Sequence, residues 1–203
     1  MSQLALGDLA VVRPVGDGLD RCYTPLPLAQ AIVDSLEIRP TDLIVEPSVG
    51  GGSFVRALIK RLGRCSIVGV DLDSAAEGLR LVDPRLVGSW PDVAEDWRRR
   101  IPYGDHPGEP DVIVGNPPFS GDTAIPHVEA ALDLKPRIVA LILPWAFPAV
   151  DRWAHLMDGD RRPALVRPIR PRPWGDKLRE SALYVWTPRE VVAETVMRPL
   201  VWR

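Results

Sequence analysis

Asn116-Pro117-Pro118-Phe119 stands directly behind the apolar run at 111–115 (DVIVG), and these residue types suit one reaction on one kind of atom. An amino group conjugated with an aromatic ring, such as the N6 of adenine, is a poor nucleophile because its lone pair is delocalised. Two acceptors gripping its two N–H groups would draw the nitrogen toward tetrahedral geometry and localise charge on it. The side-chain oxygen of Asn116 is one such acceptor, and the carbonyl of Pro117 can be the other. Consecutive prolines fix φ and remove competing N–H donors, so that carbonyl is held rigidly. Asn116, preceding a proline, is pushed toward an extended conformation. Phe119 then offers a face on which a planar base can stack. No general base is required beforehand, because the proton leaves once the nitrogen carries positive charge, and close alignment with an electrophile supplies much of the rate. A Pro-rich strand end of purely structural purpose accounts for one proline, not for the set.

A second constellation lies upstream, at Glu46-Pro47-Ser48-Val49-Gly50-Gly51-Gly52-Ser53-Phe54. Three glycines allow a tight turn and a close backbone approach to a ligand. A dinucleotide fingerprint would need a third spaced glycine where Val55 stands, and a phosphate loop would need Lys after the glycines, so both fail. The next apolar run ends Val70-Asp71-Leu72-Asp73. A carboxylate about twenty residues past the glycines is placed to accept ribose hydroxyls. Ser74 and Glu77 fit a helix capping box, which would leave Asp71 free for that task.

These residues need a frame that brings the ends of several strands together. Apolar runs occur at 43–46, 66–70, 85–88, 111–115 and 137–143, separated by segments of helical character at 53–63, 74–81, 91–100 and 123–134. Strand and helix alternating in this way predict a parallel sheet with helices on both faces. The near-continuous apolar character of the runs fits strands covered on both sides. Residues 25–38 open with prolines and place Leu28, Ile32 and Leu36 at helical spacing, and 150–158 predicts one more helix. SALYVWT at 181–187 reads as a strand, giving an antiparallel hairpin at the sheet edge. Residues 1–20 are expected to be an arm and 189–203 a tail.

The chain of 203 residues carries a net charge of −2, so polyanion contact would have to come from local charge. Residues 161–180 supply it: Arg161, Arg162, Arg167, Arg170, Arg172, Lys177 and Arg179 stand against Asp176 and Glu180, an excess of +5 interleaved with prolines and Trp174. Phosphate contact is expected there. Arg98, Arg99 and Arg100 close a helix and answer its dipole. The other tryptophans (Trp97, Trp145, Trp153, Trp186, Trp202) and His127 are expected to pack. Cys22, Cys65 and three scattered histidines offer no metal-ligand spacing. There is no signal peptide and no apolar run of membrane length, so the expectation is a cytoplasmic protein with reduced thiols and no membrane partner.

The motifs resemble those of the amino-group DNA methyltransferases, over roughly residues 20–187. Tyr23-Thr24-Pro25 is similar to the family's N-terminal motif beside the methionine part of the cofactor. Glu46 through Phe54 matches its D/E-P-x-x-G-x-G-x-F signature, and Asp71, followed by Leu72, the ribose-binding acid. Asn116 through Phe119 matches the catalytic tetrapeptide in its N6-adenine form. Arg172-Pro173-Trp174 resembles the segment that gives an aromatic face to a flipped base, with Arg170 alongside. At the third strand end the family has Asp-Phe, and here Ser89-Trp90 stands instead. Serine can still accept a hydrogen bond and Trp90 can stack.

The resemblance implies a Rossmann-like class I fold with a mostly parallel seven-stranded sheet and an antiparallel C-terminal hairpin. It implies S-adenosyl-L-methionine as cofactor, bound by Tyr23, Thr24, Pro25, Glu46, Pro47, Gly50, Gly52, Phe54, Asp71, Leu72, Ser89, Trp90 and Asn116. Catalysis would rest on Asn116, Pro117, Pro118 and Phe119, and target binding on Phe119, Arg170, Arg172 and Trp174, with no metal. The implied activity is methyl transfer to adenine N6 in DNA, on a flipped base, by one domain at 21–188 without a separate target-recognition domain. RNA adenine methylation, a silent nucleic-acid-binding copy of the fold, and homodimerisation stay open.

Overall fold

The computed structural model describes residues 22–100, 108–119, 123–149, 151–170, 173–174, 180–190 and 192–202. The expected arm at 1–20 and, in the basic run, Arg172, Lys177 and Arg179 lie outside the described residues.

Five parallel strands form the body of one sheet: β1 (Leu43–Glu46), β2 (Ser66–Asp71), β3 (Arg85–Val87), β4 (Val112–Gly115) and β5 (Ile138–Pro144). β7 (Ser181–Trp186) runs antiparallel between β5 and β6 (Leu165–Arg170). The order is β3-β2-β1-β4-β5-β7-β6, and two short strands, β8 (Val196–Met197) and β9 (Leu200–Val201), are added on the far side of β6. The six strands read from the sequence are present, β6 supplies the seventh that the resemblance implies, and part of the segment read as a tail joins the sheet.

Successive strand residues point to opposite faces, and each face has its own core. Ile44, Val112, Val114, Ala140 and Ile142 pack with α1 (Leu26–Asp34) and α2 (Ser53–Leu62). Val45, Ile113, Val139, Leu141 and Leu143 pack with α3 (Trp90–Arg100) and α4 (Ala124–Asp133). Burial on both sides is why the strand sequences read as unbroken apolar runs rather than alternating ones.

Local chemistry sets the helix starts. Pro25 is the N-cap of α1, and a further proline, Pro27, stands in its first turn. Ser89 caps α3: its hydroxyl donates to Asp92 Oδ2 at 2.5 Å, and its carbonyl accepts from Val93 N at 3.0 Å. The capping box expected at Ser74 does not form. Residues 77–81 are a 3₁₀ turn with no side-chain cap, because Asp73 Oδ1 takes the Ala75 N–H at 2.9 Å and the Gly78 N–H goes to Gly50 O at 2.8 Å. The helix expected at 150–158 is likewise a 3₁₀ turn, Asp151–Leu156.

β8 and β9 hold one continuous register on β6, Leu165 to Val196 and Ile169 to Leu200, and the gap between them falls opposite Pro168. Val166 O and Arg170 O accept from Arg198 N and Trp202 N, so the even residues of β6 face this neighbour. At position 168 the ring leaves no N–H to donate, and the ladder breaks there.

The turn at 77–81 lies against the glycine loop more closely than side chains would permit. A Cβ on Gly78 would sit 2.1 Å from Val49 Cγ1 and 2.8 Å from the Gly52 Cα and N. Gly52 itself has φ +78° at the start of α2. Gly78→Ala should therefore lower stability by about 1–3 kcal/mol through overpacking. Urea unfolding checks this, and an unchanged midpoint would contradict the packing of the turn on the loop.

Candidate active site

In an open α/β sheet the ligand crevice lies beyond the carboxyl ends of the strands where the order reverses. Here that point lies between β1 and β4, and both sequence constellations emerge there. One cleft is lined by Thr24, Glu46, Gly50, Asp71, Ser89 and Asn116, among others. Of the expected cofactor-binding residues, Tyr23, Pro47, Phe54, Leu72 and Trp90 also border it, as does Pro118, expected to take part in catalysis. Pro25, Gly52, Pro117 and Phe119 are not among its lining residues.

Asn116 follows the last residue of β4. Its Nδ2 donates to Cys22 O at 2.8 Å, while its Oδ1 is buried without a protein partner. A carbonyl only accepts, so this bond fixes which way round the amide stands and leaves the oxygen as the unused group. The loop behind is tied down as Thr123 Oγ1 donates to Pro118 O at 3.1 Å.

Segment 22–25 lies over both constellations. The Tyr23 ring rests on the glycine loop, where a Cβ on Gly50 would come within 2.8 Å of its Cε1. Thr24 Oγ1 is buried without a partner, as is Glu46 Oε2. Glu46 is 2% exposed. Burial pushes its carboxyl well above the usual range; a hydrogen bond from the Val55 backbone opposes this, and the nearby Asp71 charge adds to it.

Asp71 was expected to be free for a ligand, yet it already shapes the loops around it. Its Oδ2 accepts from Gly50 N at 2.7 Å and its Oδ1 from Asp73 N at 2.8 Å. Each carboxylate oxygen retains a second lone pair, so the group can still accept hydroxyls from the cleft. Trp90, in the wall of the cleft, is 1% exposed, packs in the α3–α4 core, and its indole donates to His127 O at 3.1 Å.

Of the residues expected to pack, one reaches the cleft and another is partly exposed. His127 lines the cleft beside Ser89 and Trp90. Its Nδ1 lies 2.8 Å from Thr123 O, which requires the proton on Nδ1 and leaves Nε2 as an acceptor. Burial lowers its pKa, and the bond to Thr123 O acts against that shift. Trp145, at the carboxyl end of β5, is 36% exposed. The helical period of 124–133 could not reveal that His127 reaches the cleft.

The described arginines of the basic run, Arg161, Arg162, Arg167 and Arg170, do not form one face. Arg161 pairs with Asp133 at 2.7 Å, and Asp133 closes α4 at the opposite end of the sheet from the cleft. Five residues of β6 stand before Arg170, so about 17 Å of strand separates it from Arg161. Arg167 is partly buried, which lowers its pKa, with Arg198 nearby acting the same way. Arg170 is exposed at the cleft end. Arg98 and Arg99 answer Glu95 on their own helix. Trp174 meets Phe119 edge-on, with ring centroids 6.1 Å apart at 86°. Among the described residues there is no cluster that could hold a metal ion, and no helix long and apolar enough to cross a membrane. Cys22 and Cys65 form no disulfide.

No protein-family model matches the chain. In sequence, 68 residues are 35% identical to the ribosomal RNA small subunit methyltransferase H of Parabacteroides distasonis, covering 33% of this chain and 22% of that protein. In structure, 91% of the chain matches 68% of a protein from Listeria monocytogenes described as a class I S-adenosylmethionine-dependent methyltransferase, with TM-score 0.66 and 12% identity. The M protein of the type I restriction enzyme EcoKI matches with TM-score 0.64 and 14% identity, over 90% of this chain and 49% of its own. The chain thus spans about half the length of the M protein. The fold is that of the class I methyltransferases.

The orientation of the Asn116 amide can be tested without any ligand. Asn116→Asp places an oxygen where Nδ2 meets Cys22 O, leaving two buried acceptors face to face. Stability should fall by about 1–3 kcal/mol. The deficit should shrink on acidification, because a protonated carboxyl can donate to Cys22 O. Thermal unfolding across pH measures it, and wild-type stability at neutral pH would remove the basis for the orientation.

Proposed function

We propose that this chain transfers the methyl group of S-adenosylmethionine to the N6 amino group of adenine in DNA. The observation that carries the reading is Asn116 Oδ1, a buried acceptor with no protein partner, held toward the cleft by the bond from Nδ2 to Cys22 O. A buried polar group left unpaired costs free energy, and a ligand N–H is what it lacks. The resemblance of 116–119 to the N6-adenine tetrapeptide supports that choice of ligand.

The cleft fits the cofactor on separate grounds. Glu46 Oε2 and Thr24 Oγ1 are buried and unpartnered in its wall, an arrangement suited to an ammonium group. Asp71 would take the ribose hydroxyls through its remaining lone pairs, with Ser89 and His127 framing the base. When bound, S-adenosylmethionine supplies an electrophilic methyl group. Asn116 Oδ1 and the Pro117 carbonyl would grip the two N–H groups of the target amine and localise its lone pair. Pro117 and Pro118 hold the loop rigid, and Phe119 offers the flipped base an aromatic face. Arg170, exposed on the cleft side, is suited to a phosphate.

RNA is the second reading, favoured by the stretch similar to a ribosomal RNA methyltransferase. Tritiated S-adenosylmethionine incubated with duplex DNA, single-stranded DNA, RNA and protein separates the two. Label should enter DNA and be recovered as N6-methyladenine. Label in RNA alone would replace the first reading by the second, and label in protein alone would overturn both. Asn116→Ala should abolish incorporation while leaving S-adenosylhomocysteine affinity within about threefold, since Asn116 serves the target amine. Calorimetry showing lost cofactor affinity would reassign the residue.

Nucleic-acid docking carries its own test. If Arg170 meets a phosphate, Arg170→Glu should reduce the slope of log affinity against log salt by about 1. An unchanged slope would remove Arg170 from the interface.

A further inference from the structure

Trp174 has the sequence position of a stacking residue, but its one donor is already spent on the protein. Indole Nε1 donates to Tyr23 O at 2.9 Å. The neighbouring carbonyl, that of Cys22, accepts from Asn116 Nδ2 at 2.8 Å. Adjacent carbonyls of one short segment are therefore held by residues 116 and 174. The Tyr23 ring, between them, lies on Gly50 and Gly51.

Residues 22–25 belong to no helix or strand. No backbone ladder fixes their place, so side-chain bonds from elsewhere must do so. The contacts close on themselves. Phe119 lies three residues beyond Asn116 and meets Trp174 edge-on at 6.1 Å; Trp174 holds Tyr23, and Cys22 holds Asn116. One member of this closed set, Asn116, has its Oδ1 buried without a protein partner.

We propose that Trp174 is a positioning residue: its indole N–H fixes the 22–25 segment, and through Cys22 O that segment fixes the orientation of the Asn116 amide. This rests on the reading of Asn116 as the acceptor for the target amine. If the indole N–H is lost, the segment loosens and Cys22 O no longer selects one face of the amide. A turned amide presents N–H where the target amine needs oxygen. The rate should suffer, while the aromatic face that Trp174 shares with Phe119 still serves binding.

Two replacements isolate the N–H. Trp174→Phe keeps an aromatic ring without a donor. Benzothienylalanine at 174, with sulfur in place of the indole N–H, keeps the bicyclic shape as well, so it also answers for any packing loss in the phenylalanine variant. Two readouts apply to each: the NMR signals of the Asn116 side-chain amide in ligand-free protein, and the separate kcat and KM of methyl transfer.

In both variants the amide signals should move or broaden. The kcat should fall about tenfold, with KM for the nucleic acid within about twofold. A stacking role gives the opposite pattern: unmoved amide signals and near-wild-type kcat in both variants, which overturns the proposal. A benzothienylalanine protein that behaves as wild type also overturns it, even if the phenylalanine variant is impaired. Should the wild type transfer no methyl group to any substrate, the proposed function fails. The amide signals still decide whether Trp174 positions Asn116.

Discussion

A side-chain amide can be turned through half a circle with little covalent cost, exchanging a donor for an acceptor at the same point in space. The cleft depends on which way Asn116 is turned, and one hydrogen bond, from its Nδ2 to Cys22 O, decides it. The donor and the carbonyl stand 94 residues apart in the chain, so the bond exists only once the sheet has formed and segment 22–25 has crossed over its end. What the fold delivers to this place is one oriented oxygen. The prolines after Asn116, the aromatic contact between Phe119 and Trp174, and the Tyr23 ring on the glycine loop keep its surroundings from shifting.

The rest of the cleft shows the same economy of side chains serving backbone. Asp71 holds the N–H groups of Gly50 and Asp73, so the carboxylate that faces the cleft also determines the shape of two of its walls. The glycines do more than admit a ligand. Gly52 and Gly78 let two stretches of backbone touch, and the Gly78 N–H closes on Gly50 O. Glu46 stands in contrast: it is buried, and its Oε2 lacks a protein partner, which is why its proton is held more tightly than in water.

Much of this was legible because it is local. Apolar runs buried on both faces identify the strands of a parallel sheet, and Asn-Pro-Pro-Phe declares its rigidity in its own composition. The misreadings came where a distant group outbids a local one. Ser74 and Glu77 form a good capping pattern, but Asp73 and Gly50 claim the backbone groups that the helix would have used. Charge counting joined Arg161 to Arg170, and the length of β6 pulls them to opposite ends of the sheet. His127 looked like one more helix residue, since which face of α4 meets the cleft is set by its packing on the sheet and on α3. A strand was not foreseen at 165–170, because Pro168 and two arginines argue against one, and its pairing with distant strands creates it.

Pro168 leaves a mark on the outside of the molecule. Because it cannot donate, the chain at 196–201 is held in two short grips rather than one long one. Val196, Met197 and Val201 are exposed along this border, the combination that invites a stray strand to add on. Such a strand would find no straight run of paired residues to copy, since the ladder beneath the border is already broken at its middle. A residue that weakens the last rung of the sheet thereby guards the molecule against growing by the edge.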